Sequence, residues 1–182
     1  MAETMLNMLK QVNKAVAGLV GLGLLLCAAF VLIDIVLRQM GASFGGTDEI
    51  SGYAMAIATS WGMGYALMEL GHVRIDLIRN RTGQVGRSLF DLFSMAVLSG
   101  TVTLIAVKCW PVLERSLNNA SRANTPLETP LAWVQVPWMV GWVWFAIVAW
   151  LTFVAAALLV LKGNHGAVQD AIGIRAEAEA LE

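Results

Sequence analysis

The sequence predicts an all-α integral membrane protein: four transmembrane helices, N-in/C-in, joined by short interfacial segments. Three observations carry that expectation. First, the chain of 182 residues is 58% hydrophobic and only 14% charged, with mean hydropathy +0.68, far from the ~25% charged content of soluble domains. Second, four apolar stretches, at about 15–37, 50–69, 89–113 and 134–161, each reach the ~20 residues with which a helix crosses a ~30 Å hydrocarbon core. Third, Lys and Arg concentrate in the segments that this topology places on one side of the bilayer. What remains outside the spans is too short for a second folded unit, so residues 1–182 are read as a single membrane domain. The formal net charge of -1 leaves no electrostatic footprint for nucleic acid.

Met1 to Lys14 is polar to amphipathic, with Lys10 and Lys14 ahead of an apolar run from Ala15 to Ile33. That run exceeds the 7–15 residues typical of a signal-peptide core, and Leu26 stands before Cys27 where a lipoprotein cleavage site needs a small residue. An uncleaved signal anchor is therefore expected. The first span closes with Asp34 and Arg38, spaced i,i+4 on one helical face. Two readings stand: a self-neutralising pair at the headgroups, or an Arg38 that also reaches Asp48 and Glu49 across the glycine-rich turn of Gly41, Gly45 and Gly46.

The second span carries no charge from Ile50 to Met68. Asp48 and Glu49 sit at its start, where the helix dipole favours negative charge, and Glu69, His72, Arg74 and Asp76 follow its end. Within it Gly52, Ala56, Ser60 and Gly64 recur every four residues, which puts four small side chains in one row. Close approach across small residues is a main source of helix association in lipid. The neighbouring row holds Tyr53, Ile57, Trp61 and Tyr65. This pair of rows, with Gly52, Ala56, Ser60, Gly64, Tyr53 and Trp61 at its centre, is the candidate partner interface. The alternative is that the small row packs only within its own chain.

His72 to Arg87 is the most basic connection, with Arg74, Arg79, Arg81 and Arg87, and the positive-inside rule puts it in the cytoplasm with the N-terminal lysines and Lys162. Val73, Leu77 and Ile78 suit a short interfacial helix. Arg87 and Asp91 open the third span at a pairing distance of four residues. Lys108 near its other end is read as snorkelling beside Trp110. The segment Glu114 to Ala132 is polar and proline-marked, an external loop ordered by turns. Trp110, Trp133, Trp138, Trp142 and Trp144 form an interfacial aromatic belt. Pro137 falls near the first turn of the fourth span, where a missing N–H costs little. The tail after Lys162 ends in an alanine- and glutamate-rich run that reads as a frayed or short surface helix, and no function is assigned to it.

Several chemistries are excluded. Cys27 and Cys109 lie in apolar runs and read as buried thiols rather than a disulfide or metal pair. His72 and His165 lie in connecting segments, so no axial haem ligands project into the spans. No nucleophile has a base and an orienting group, so no enzyme activity and no cofactor is expected. Ser60, Thr59, Ser94, Ser99, Thr101 and Thr103 are the deep polar groups, enough for interhelical bonds but without an ionisable centre for an ion path.

Taken together, Arg38 at the close of the first span, Asp48-Glu49, the Trp61-Gly62 and Gly64-Tyr65 region, His72-Val73-Arg74-Ile75-Asp76, and the proline-marked segment Thr125 to Pro137 resemble the DctQ-like small permease (Q) subunit of tripartite ATP-independent periplasmic (TRAP) transporters. The resemblance covers nearly the whole chain, and the family often shows two glutamates where this chain has Asp48-Glu49. It implies a non-catalytic bacterial inner-membrane subunit that pairs with a large M subunit holding the substrate and sodium sites, while a soluble periplasmic binding protein delivers an organic acid. The small subunit would enlarge the stationary scaffold of an elevator-type transporter. Arg38, Asp48 and Glu49 would organise the periplasmic end and help dock the binding protein, and His72, Arg74 and Asp76 would fix the cytoplasmic turn. The rival expectations are a small self-assembling transporter or channel, and a membrane anchor of a redox complex.

Overall fold

A computed structural model of the chain describes residues 2–72 and 79–173. Those residues form five α-helices and no strand: α1 (Ala2–Gln39), α2 (Thr47–Met68), α3 (Gln84–Asn118), α4 (Leu131–Leu161) and α5 (His165–Ile172), with a 3₁₀ turn at Arg79–Arg81. The expected interfacial helix at Val73, Leu77 and Ile78 lies outside the described residues.

The first helix is much longer than its apolar run. Residues 2–14 are rich in Ala, Leu, Met, Lys and Gln, all good helix formers, with neither Gly nor Pro to stop them. Ala2, Leu6, Leu9 and Asn13 bury one face at helical spacing, so the amphipathic segment runs into the apolar stretch without a break. Three helices, α1, α3 and α4, are long and apolar enough to cross a membrane. The 22 residues of α2 have spanning length, but its Gly, Ser, Thr, Tyr and Trp make it less apolar than the others. The count of four spans thus has three strongly apolar helices behind it and one of a different surface character.

The hub is α4. It packs on α3 along one flank and on α2 along the other, and it also touches α1 and α5. Hairpin partners α1 and α2 lie side by side. The buried core runs through Met95, Val102, Phe145, Val148, Ala149, Ala155, Ala156 and Leu159 and is closed by Leu6, Leu9, Leu67, Met68, Val168 and Ile172. Ala149, Ala155 and Ala156 are fully buried, because small side chains let the neighbouring backbones come close to α4.

One detail corrects an expected helix start. Since α4 starts at Leu131, Pro137 sits in its second turn rather than its first, where the lost N–H and the ring disturb the helical ladder. After Lys162, α5 packs on α3 and α4 and buries Val168, Ala171 and Ile172; the alanine- and glutamate-rich run beyond it, expected as a frayed or short surface helix, lies outside the described residues. The start of α5 is capped by the Asn164 side chain, which accepts the Ala167 N–H at 3.2 Å.

Candidate partner interface and polar junctions

At the α1–α2 turn a single carboxylate organises the backbone. Asp34, 1% exposed, accepts from Arg38 Nε (2.7 Å) and Thr47 Oγ1 (2.8 Å) on one oxygen, and from Ser43 Oγ (3.0 Å) and the Phe44 N–H (2.8 Å) on the other. Arg38 reaches across to Thr47 Oγ1 as well, at 2.8 Å. The i,i+4 pair expected from the sequence is therefore formed, and Arg38 is shared with α2 through Thr47. It makes no ion pair with Asp48 or Glu49, because the buried Asp34 side chain holds the guanidinium on its own side of the turn.

Glu49 serves a different connection. The Tyr53 hydroxyl, one turn on, donates to it at 2.6 Å. The hydroxyl of Thr125 foremost, then that of Tyr53, holds its carboxyl below the usual range, with Thr129 and the Leu127 backbone adding to the effect. The α3–α4 loop thus closes over the first turn of α2. Gly46 makes room for it: a Cβ there would lie 2.5 Å from the Leu127 side chain, and its φ of +69° is one that L side chains rarely adopt. The loop has its own order, with Ala123 N–H donating to the Thr129 carbonyl (2.9 Å) and Leu131 N–H to Ser121 (3.0 Å). Asp48 is exposed and takes no part in these bonds.

The row of small residues divides along its length. Ser60 is fully buried and Gly64 is buried. A Cβ on Gly64 would lie 2.5 Å from Asn13 Oδ1 of α1, and a Cβ on Gly141 of α4 would lie 2.8 Å from the Ser60 Cβ. Trp61 donates its indole N–H to the Pro137 carbonyl at 2.9 Å. Ser60, Trp61 and Gly64 are therefore occupied within the chain. Tyr53 is half-buried on Glu49, Ala56 is half-buried, and Gly52 has open space in front of it. Gly52 shares its face with Met55 (64% exposed), Thr59 and Gly62, at spacings of three, seven and ten residues that keep them on one stripe.

Asn13 escaped the sequence reading. It is fully buried, donates to the Leu9 carbonyl (2.9 Å) and accepts from the Trp144 indole at 3.2 Å. With Gly64 against its oxygen, it ties α1, α2 and α4 at one point. The signal was its register: Asn13 continues the buried stripe of Leu6 and Leu9.

At the α2–α3 end, His72 lies against Phe145, with ring centroids 6.0 Å apart, while Arg74 and Asp76 lie outside the described residues. Asp91 is held by Arg79 in a two-point bridge, Nε and Nη2 each at 2.8 Å, and not by Arg87 as the i,i+4 spacing suggested. The 3₁₀ turn brings Arg79 face-on to the carboxylate, and bidentate geometry outcompetes a one-turn helical contact. His165 of α5 meets the buried Ser88 hydroxyl at 3.1 Å. Among the described residues no three His, Cys, Asp or Glu side chains converge on a point where a metal ion could sit.

The family model for Tripartite ATP-independent periplasmic transporters, DctQ component, matches residues 27–149. That stretch takes in the Asp34 junction, all of α2, α3 and the half of α4 that meets α2. No curated protein and no solved structure shows a significant match.

Proposed function

The chain belongs to the DctQ family, a component of tripartite ATP-independent periplasmic transporters, and on that premise we propose that it is the non-catalytic small membrane subunit of a sodium-coupled organic-anion transporter. In this reading α2 crosses the bacterial inner membrane with the other three long helices. The α1–α2 turn and the α3–α4 loop face the periplasm, and the arginine-rich α2–α3 connection faces the cytoplasm, in keeping with the positive-inside rule. The large M subunit carries substrate and sodium, and this chain widens the part of it that stays fixed. Arg38, Asp48 and Glu49 lie where the binding protein arrives; exposed Asp48 is available to it, and Asp34 and Glu49 keep the surface beneath it in shape.

The observation that carries the proposal is the open stripe of α2. A helix wedged between α1 and α4 still presents Gly52, Met55, Thr59 and Gly62 outward, and small or weakly polar residues gain more from a close-packed helix than from lipid tails. Gly52→Leu and Gly64→Leu separate the two halves of the row. The first should leave the subunit folded but reduce its copurification with the large subunit. The second should disturb the subunit itself by displacing Asn13. Full copurification and uptake by a folded Gly52→Leu variant would remove this stripe from the interface. Solute flux through liposomes holding this chain alone would favour a self-assembling transporter instead.

A further inference from the structure

Around the start of α3, arginine outnumbers acid. Asp91 is 1% exposed and its two oxygens are taken up by Arg79. Two residues beyond Arg79, Arg81 is exposed. One helical turn before Asp91, Arg87 has its Nε buried with no hydrogen-bond partner. Neither Arg81 nor Arg87 has a carboxylate within 4 Å among the described residues, and Asp170 of α5, the helix packed beside them, pairs with neither. A guanidinium keeps its proton under all ordinary conditions. Among the described residues, the corner therefore holds two positive charges with no acidic partner.

An apolar stripe leads away from that corner. Phe90, Phe93 and Val97 are 41%, 68% and 52% exposed, on a helix apolar enough to cross a membrane. Phe90 begins it one turn after Arg87. A pair of cations at the head of an exposed aromatic stripe complements one kind of molecule, an amphiphile with an anionic head and a hydrocarbon tail. We propose that Arg81 and Arg87 bind the phosphate of an anionic phospholipid whose acyl chain lies along Phe90, Phe93 and Val97. In the orientation proposed above this lipid belongs to the inner leaflet, but its binding depends on neither that orientation nor a partner subunit, so a negative result with Gly52→Leu leaves it standing.

The full chain, purified and reconstituted in phosphatidylcholine alone or mixed with phosphatidylglycerol, tests the site by native mass spectrometry of retained lipid. The wild type should keep phosphatidylglycerol in preference to phosphatidylcholine. Arg81→Gln and Arg87→Gln should each reduce that preference by about five-fold, while Lys162→Gln, which removes a cation beyond the corner, should leave it within about two-fold. Equal losses in all three variants would mean diffuse surface charge and would overturn the site. So would an unchanged preference in Arg81→Gln, whose exposed side chain can be replaced without unfolding risk. Competition by inorganic phosphate as effective as that by the lipid would identify a free-anion site and likewise overturn the lipid assignment.

Discussion

Asp34 joins α1 to α2 because a carboxylate can accept four hydrogen bonds at once, and here all four donors come from residues 38–47. Asp34→Asn removes the charge and turns one oxygen into a donor facing donors. It should lower the midpoint of thermal unfolding and increase hydrogen exchange across residues 40–47, whereas Asp48→Asn, at an exposed position, should leave both unchanged. Glu49 adds a pH dependence. Its folded pKa lies below its ordinary value, so its contribution to loop docking is fully present above the ordinary carboxyl range and is lost as the pH falls through the folded value. Exchange protection of residues 121–130 should therefore hold at neutral pH and decline in acid; in Glu49→Gln this acid-dependent decline should be absent. The sequence displayed Asp34, Arg38 and Glu49 as chemistry-bearing residues but not their partners. Ser43, Thr47, Thr125 and Thr129 are common turn residues whose roles depend on which loop folds over which helix end.

Between α2 and α4, the contact is set by what is absent from Gly141. A Cβ there would press on the Ser60 and Trp61 side chains, so Gly141→Ala should destabilise the subunit by about 1–3 kcal/mol, the usual range for an overpacked contact. Trp61→Phe removes the bond to Pro137 together with part of the bicyclic ring packed on α4; a loss of at least about 0.6 kcal/mol, typical of a single interhelical hydrogen bond in a membrane, should be measurable by unfolding in mixed micelles. Four-residue spacing made the small row of α2 visible in the sequence, yet spacing cannot tell which part faces a neighbour in the same chain. Helical drift decides that. Successive i,i+4 steps rotate the row by about 40° each, carrying it from the open stripe at Gly52 round to α4 and Asn13 at Gly64. The same limit explains Asp91: a helical i,i+4 partner was legible, but the face-on approach of Arg79 needed the fold of the connection.

The molecule as a whole is organised about α4, and its apolar residues are far from used up by its own packing. None of the most apolar stretch of α1 is buried within the chain, and Leu19, Leu25 and Leu32 stand 72%, 70% and 63% exposed. Lipid covers such a surface without difficulty, but four helices loosely arrayed round one hub have little to resist shear. Anything that binds only the folded form adds stability by mass action, so coexpression with the large subunit should raise the unfolding temperature of this chain, with Gly52→Leu reducing the gain. Fold class was legible because apolar length and charge bias are one-dimensional signals. The tertiary closure was not: Leu6 and Leu9 precede the apolar run, Val168 and Ile172 follow the last of it, and no local pattern announces that these four residues belong to one core.

That shared core also sets an order of events during synthesis. Leu6 and Leu9 leave the ribosome early, whereas Val168 and Ile172 emerge only after α4 has been made. Until then the nascent helix hairpin has no floor to rest on and is retained by the bilayer alone. Helix α5 works as a latch, and a polypeptide halted before it would enter the membrane yet stay ajar, an open target for quality-control proteases.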